Sequence, residues 1–234
     1  MIKFVQAEEK GFFIVLKVVV FDGGYGGEFF ADQLEEALPV LDVVRVIDWR
    51  NADKLLTGPR SARKVAKNAL KPYIGKVDLI VFANHLLAAT SLRHFRRKYK
   101  NQKFIGLGLK RPDTFIKRDV LILTTKAVAR SLNYHNFLFQ IKRKSKTLTL
   151  DHWPLEIDNG DLTEDKIRDT LGKLLKREKF KPQEVILACS QFNDIKTELR
   201  NIFGHNLKIH DSFDDTVRNV CKVLCIRGGV GKKS

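Results

Sequence analysis

The chain has 234 residues, enough for one large α/β unit or two small ones, and its 44% hydrophobic content supplies ordinary cores. No apolar run approaches the ~20 residues of a membrane helix, so no membrane partner is expected. Forty-three Lys and Arg against 27 Asp and Glu give a net charge of +16, which points to anionic partners: nucleic acid, acidic lipid or an acidic protein face.

Three cysteines, an odd number, fit a reducing cytoplasm better than a disulfide framework. The N-terminus shows no basic region followed by an apolar core and a small-residue cleavage site, so a cytoplasmic location is expected. Residues 1–11 and 228–234 read as flexible ends.

In chain order, Phe13–Phe21 reads as a buried strand that delivers Asp22 to a tight, glycine-rich turn, Gly23-Gly24-Tyr25-Gly26-Gly27. Glu28–Leu38 reads as a helix stopped by Pro39, and Val43–Ile47 as a strand. Ser61–Leu70 is a helix with Ser61 as N-cap and an outer face rich in Lys and Arg. Val77–Phe82 is a strand, Leu86–Tyr99 a helix and Phe104–Leu109 a strand. Pro112-Asp113 reads as a crossing point into a second set. That set is strand Val120–Thr124, helix Ala127–Phe139, strand Thr147–Leu150, helix Leu162–Lys179, strand Val185–Ala188 and helix Asp194–Phe203. Strand Leu207–His210 and helix Thr216–Leu224 close the chain. Alternation of this kind implies parallel sheets with right-handed crossovers.

Two strand ends stand out, because ligands of open α/β sheets bind beyond the carboxyl ends of strands. Asp22 ends the first strand and Cys189 follows Val185–Ala188, so the two side chains are expected to face one cleft. The bland alternatives are a helix-capping aspartate and a buried structural cysteine. Cys221 and Cys225 lie four apart on one predicted helix face and read as core. Two nucleotide-like patterns fail: Phe29 stands where a dinucleotide fingerprint needs glycine, and Ile226 stands where a phosphate loop needs one. Basic clusters at Arg93–Lys103, Lys142–Lys146, Lys173–Lys181 and the C-terminus are scattered along the chain. Solvated helix faces account for such clusters as well as nucleic acid does.

Asp22-Gly23-Gly24-Tyr25-Gly26-Gly27 resembles the Asp-Ser-Gly-x-Gly-Gly motif of glutamate racemases. The resemblance continues in order along the chain. Val81-Phe82-Ala83-Asn84-His85 falls where that family has Ala-Cys-Asn-Thr after a strand. Thr125, Ser131 and Tyr134 match Thr-x-x-Thr-Val-x-Ser-x-x-Tyr, with Val128 replacing the second Thr. Pro154-Leu155 is similar to a Pro-Leu-Val-Glu stretch, Cys189-Ser190-Gln191 stands at Cys-Thr-His, and His210-Asp211-Ser212 with Thr216 resembles an Ile-Asp-Ser segment.

The resemblance implies two flavodoxin-like α/β lobes with parallel sheets and a cleft between them. Residues 12–112 with 206–227 would form the first lobe and 113–205 the second. It implies cofactor-independent amino-acid racemase or isomerase chemistry on a small acidic amino acid or related carboxylate, with a homodimer as one assembly. Two cysteines on opposite faces of the α-carbon do this work in the family, because a thiol's pKa can be tuned towards neutrality. Here the first is Ala83, and the family's histidine after the second is Gln191. The catalytic candidates carried over are Cys189 and Asp22, with His85 as the residue that would replace the missing base. The substrate-binding candidates are Gly23, Gly24, Asn84, Thr125, Ser190 and Gln191. The expectation is a scaffold whose two-cysteine pair is reduced to one, with racemisation lost or altered. The alternatives are a one-cysteine decarboxylase-like enzyme and a non-catalytic relative that binds nucleic acid or a protein through its basic surface.

Overall fold

The computed structural model describes residues 15–109, 119–141, 145–178 and 180–226. The expected flexible ends and the Pro112-Asp113 crossing point lie outside the described residues, as do parts of the Lys142–Lys146 and Lys173–Lys181 clusters.

The first lobe runs β1 (Leu16–Asp22), α1 (Tyr25–Ala37), β2 (Leu41–Ile47), α2 (Ala52–Thr57), α3 (Pro59–Leu70), β3 (Leu79–Phe82), α4 (His85–Thr90), α5 (Leu92–Lys98) and β4 (Phe104–Gly106). The second runs β5 (Val120–Thr124), α6 (Lys126–Ala129), α7 (Leu132–Ile141), β6 (Ser145–Thr149), α8 (Trp153–Asp158), α9 (Glu164–Glu178), β7 (Glu184–Ala188), α10 (Lys196–Phe203) and β8 (Lys208–His210), and α11 (Phe213–Leu224) follows. Each lobe holds a four-stranded, all-parallel sheet, ordered β2-β1-β3-β4 and β6-β5-β7-β8. The same doubly wound order in both lobes puts a topological switch point at the carboxyl ends of β1/β3 and of β5/β7.

Strands covered on both faces read as continuous apolar runs, and Val18 to Phe21 and Val120 to Leu123 are fully buried. Their alternation sorts the core. Val18, Val20, Leu79 and Val81 pack under α1 and α11 through Phe30, Leu34, Phe213 and Val217. Val19, Phe21, Ile80 and Phe82 face the other way, onto α2 to α5, and that cluster runs on into the second lobe through Val120, Ile122, Val128, Tyr134 and Phe137. A core shared in this way holds the two lobes as one packed body.

Several boundaries differ from the sequence expectation. The helix over 86–99 is two helices that part at Ser91: the Thr90 hydroxyl donates back to Leu86 O, and Arg63 Nη2 reaches Thr90 O at 3.4 Å. The helix over 127–139 breaks at Ser131, whose Oγ accepts the Tyr134 amide and caps α7. Ser61 is not a cap, because Pro59 occupies the first helical position after Gly58, where its missing N–H costs nothing. Helix α8 was not foreseen. The span 206–227 does not stay together: β8 pairs with β7 in the second sheet, and only α11 returns to the first. Cys225 is exposed beyond the end of α11 rather than in the core. No helix among the described residues is long and apolar enough to cross a membrane.

Candidate active site at the lobe interface

Asp22 ends β1 in the central position of the first sheet and is completely buried. Its Oδ1 accepts the Gly23 amide at 2.7 Å and the Asn84 side-chain amide at 3.0 Å, and its Oδ2 accepts the Ser190 hydroxyl at 3.0 Å. The first two donors come from the ends of β1 and β3, the third from the end of β7 in the other lobe. Burial pushes the Asp22 carboxyl up to about 7 despite these donors, and the nearby Asp158 carboxylate adds to the rise.

Cys189, Ser190 and Gln191 follow β7 and begin a short 3₁₀ turn, all at most 5% exposed. The Cys189 thiol donates to Gln191 Oε1 at 3.1 Å, and Ser190 Oγ lies 3.1 Å from the same oxygen. Burial pushes the Cys189 thiol well up, so it stays protonated at neutral pH. The Gln191 amide nitrogen donates to Asp158 Oδ2 at 3.3 Å. Asp22, Ser190, Gln191 and Cys189 thus form one hydrogen-bonded chain across the lobe boundary. A hydroxyl has a single proton: Ser190 gives it to an ionised Asp22, and is released towards Gln191 once Asp22 is itself protonated.

The glycines of the turn are spacing elements. A Cβ on Gly26 would stand 2.3 Å from Ser190 Cβ, one on Gly24 2.2 Å from Asp158 Oδ2, and one on Gly27 2.5 Å from Asp22 Cβ. At Gly24 and Gly26 only hydrogen allows the start of α1 to approach the second lobe this closely, and at Gly27 it lets α1 lie against the Asp22 side chain. Asp158, at the end of α8, accepts the Tyr25 amide at 2.9 Å and so closes over the turn. Burial pushes its carboxyl up as well.

The sequence candidates Asp22, Gly23, Gly24, Asn84, Cys189, Ser190 and Gln191 are brought together. Thr125 is buried at the end of β5, where its hydroxyl accepts the Val128 amide as a helix cap. His85 follows Asn84 but turns to the β8–α11 connection: its Nε2 lies 2.9 Å from Ser212 Oγ, and its buried Nδ1 has no hydrogen-bond partner. Burial pushes this imidazole down to about 4, so it is neutral at pH 7. Asp158 was not foreseen, because nothing in its local sequence marks it. Among the described residues no group of His, Cys, Asp or Glu is arranged to hold a metal ion.

No family model matches the sequence. The glutamate racemase of Clostridium perfringens is 24% identical over 219 residues, spanning 87% of this chain and 81% of that protein. The similarity extends over nearly the whole length, and the fold agrees. The chain is similar in sequence to glutamate racemases and in fold to the aspartate/glutamate racemase superfamily. Among solved structures of the superfamily, glutamate racemase of Escherichia coli in complex with L-glutamate and the activator UDP-MurNAc-Ala superposes with a TM-score of 0.77 at 20% identity, over 92% of this chain and 84% of that one. Aspartate racemase of Picrophilus torridus gives 0.62 at 16% identity, over 94% and 96%. The two-lobed superfamily fold accounts for why residues from β1, β3 and β7 converge here: the paired switch points face one another.

Proposed function

We propose that this chain is a racemase-scaffold protein in which two-base racemisation has given way to proton transfer on one face of an α-carbon. Cys189 is the carrier, and the ligand is a small acidic amino acid or related carboxylate. The observation that carries this reading is the asymmetry of the site. The second-lobe side offers a thiol, a hydroxyl and an amide in Cys189, Ser190 and Gln191. The first-lobe side at the end of β3 offers the methyl of Ala83 and the amide of Asn84, which is tied to Asp22.

The Cys189 thiolate removes the α-proton and the resulting thiol, after exchange with solvent, returns one to the same face of the carbanion; burial disfavours the thiolate, so exchange is expected to be slow and to rise with pH. His85 stands beside Asn84 in sequence, but its imidazole is held at Ser212, outside the Asp22–Cys189 chain. The backbone amides of Gly23 and Tyr25 already have carboxylate partners, and a ligand carboxylate would replace Asp158 as acceptor at Tyr25. Entry of a ligand therefore requires the Gly24–Asp158 contact to open.

The test is NMR of α-proton exchange in D₂O with L- and D-glutamate and L- and D-aspartate, native protein against Cys189→Ser. The expected result is exchange of one enantiomer without inversion, abolished by the substitution. Exchange with inversion would overturn the one-face reading. A second reading, a scaffold without chemistry, is favoured by the internal satisfaction of Asp22, and exchange of no substrate would select it.

A further inference from the structure

Residues 54–109 contain thirteen Lys and Arg and one acid, Asp78, so about a quarter of the chain carries +12 of its +16 charge. Asp78 is engaged elsewhere, accepting the Lys17 amide at 2.8 Å. The basic outer face of α3 and the Arg93–Lys103 cluster are brought near one another in the fold, because α3 packs on α4 and α5 continues from α4.

Along α3, Arg60, Lys64, Lys67 and Lys71 recur at helical spacing and are all exposed. Along α5, Arg93, Arg97 and Lys98 are exposed and, with Thr90 and His94, line a surface cavity of about 570 Å³. Arg63 ties α3 to the junction of α4 and α5: Nη2 lies 3.4 Å from Thr90 O and Nε 3.5 Å from Ser91 Oγ. Lys98 Nζ lies 5.4 Å from the centre of the half-buried Tyr99 ring. Partial burial and the surrounding charges of Arg63, Lys98, Arg97 and Lys67 together push His94 down, which places all four cations around one imidazole.

These cations form no ion pair among the described residues, unlike Arg45, which has Glu28, Asp32 and Glu35 around it. Concentrated positive charge without acids raises the potential by several kT and calls for an external counter-charge. None of the large exposed apolar side chains of the described residues falls within 54–109, so nothing here would insert into a lipid surface. A concavity bearing the Arg93 and Arg97 forks beside a lysine-rich helix suits a chain of phosphates. From Arg60 to Lys71 the stripe runs about 16 Å, the axial length of about five phosphates on one strand.

We propose that the basic face formed by α3 and α5 binds the phosphate backbone of a nucleic acid, independently of the site between the lobes.

The test is fluorescence anisotropy of the full chain with a labelled 30-base-pair DNA duplex, the matching single strand and the matching RNA, at 50 and 200 mM salt. With about six phosphates neutralised, the duplex slope of log K on log salt is about −5, a loss of about 10³-fold over this range. The triple substitution Lys67→Ala, Arg93→Ala, Arg97→Ala is expected to weaken binding at least 30-fold and to reduce the slope by about 3. The control Lys166→Ala, Arg168→Ala, Lys173→Ala removes the same charge from α9 and is expected to change affinity less than threefold. All six side chains are partly or fully exposed, and circular dichroism checks the fold of each triple. No nucleic acid bound at 50 mM salt, or equal losses from both triples, would overturn the proposal. So would tighter binding to vesicles containing 30% anionic phospholipid than to any nucleic acid. The three nucleic-acid arms identify which form this face prefers, and none of these results depends on α-proton exchange.

Discussion

Asp158, the last residue of α8 in the second lobe, accepts the Tyr25 amide at the start of α1 in the first, and its carboxylate fills the space where a side chain on Gly24 would stand. The two lobes meet through a carboxylate, a backbone amide and a missing Cβ. Gly24→Ala is expected to destabilise the protein by about 1–3 kcal/mol, the usual cost of overpacking. Asp158→Ala loses the hydrogen bonds from the Tyr25 amide and from Gln191 Nε2, and about 1–2 kcal/mol. The double variant is expected to be more stable than the sum of the two losses implies, because shortening Asp158 makes room for the methyl. Urea denaturation of the four proteins measures this coupling, and strict additivity would show that the contact does not form.

The buried acid and the buried base give opposite pH slopes. Asp22 holds its proton up to about 7 in the folded state against 3.8 unfolded, so the stability it allows is fully present below about 4 and lost as pH rises through 7. His85 releases its proton near 4 when folded against 6.5 unfolded, so its contribution is present above 6.5 and lost as pH falls through 4. Between about 4 and 6.5 the slopes cancel, and above that the Asp22 limb remains. Asp22→Asn keeps acceptors for Gly23 and Asn84 and is expected to raise stability at pH 8 by up to about 4 kcal/mol, three pK units at 1.36 kcal/mol each. His85→Gln is expected to leave a steady fall in stability from pH 4 to 7. Urea midpoints at pH 4.5, 6 and 8 measure both, and an Asp22→Asn curve parallel to the native one would refute the assignment.

The three free cysteines differ in access. Cys189 is buried with its thiol pushed up, Cys221 is half-buried and raised by burial, and Cys225 is exposed. A thiol reagent at pH 8 is expected to label Cys225 within the fast phase and Cys189 only on a time scale set by opening of the lobes. Cys225→Gly removes the fast phase. It is also expected to stabilise the protein by about 1 kcal/mol, since Cys225 has φ +57° after α11, where glycine carries no Cβ penalty. Mass spectrometry of the labelled sites decides the order.

Glu184 and His210 form a buried pair between β7 and β8, with Nε2 and Oε2 2.6 Å apart and Glu184 Oε1 without a hydrogen-bond partner. His210→Ala leaves a buried carboxylate alone and is expected to cost about 3–5 kcal/mol. Glu184→Gln keeps an acceptor for the imidazole and is expected to cost less. Thermal melts that rank the two variants the other way would show that the pair is not what secures β8.

Much of the fold was legible because its signals are local. The β-branched runs before Asp22 and Cys189, with turn residues after them, define strands wherever both faces are covered, and β5 lies where the sequence placed it. The convergence of Asp22, Asn84 and Cys189 was legible through motif order combined with the rule that parallel sheets bind ligands at their carboxyl ends. The breaks at Ser91 and Ser131 were not, because apolar periodicity runs on through both, and it is Arg63 and the Ser131 cap that end the helices.

The sequence by itself determined the strand–helix alternation, the parallel α/β class and the residues at the strand ends, since burial pattern and turn chemistry act over a few residues. Tertiary structure decided which of those residues meet. Asp158 reaches Tyr25 across 133 positions, Ser190 reaches Asp22 across 168, and His85 is drawn away to Ser212 across 127. It also set the basic faces of α3 and α5 near one another and moved β8 into the second sheet. Such pairings depend on helix packing and strand order, and hydrogen bonds and charge reward them only after the chain has closed those long loops.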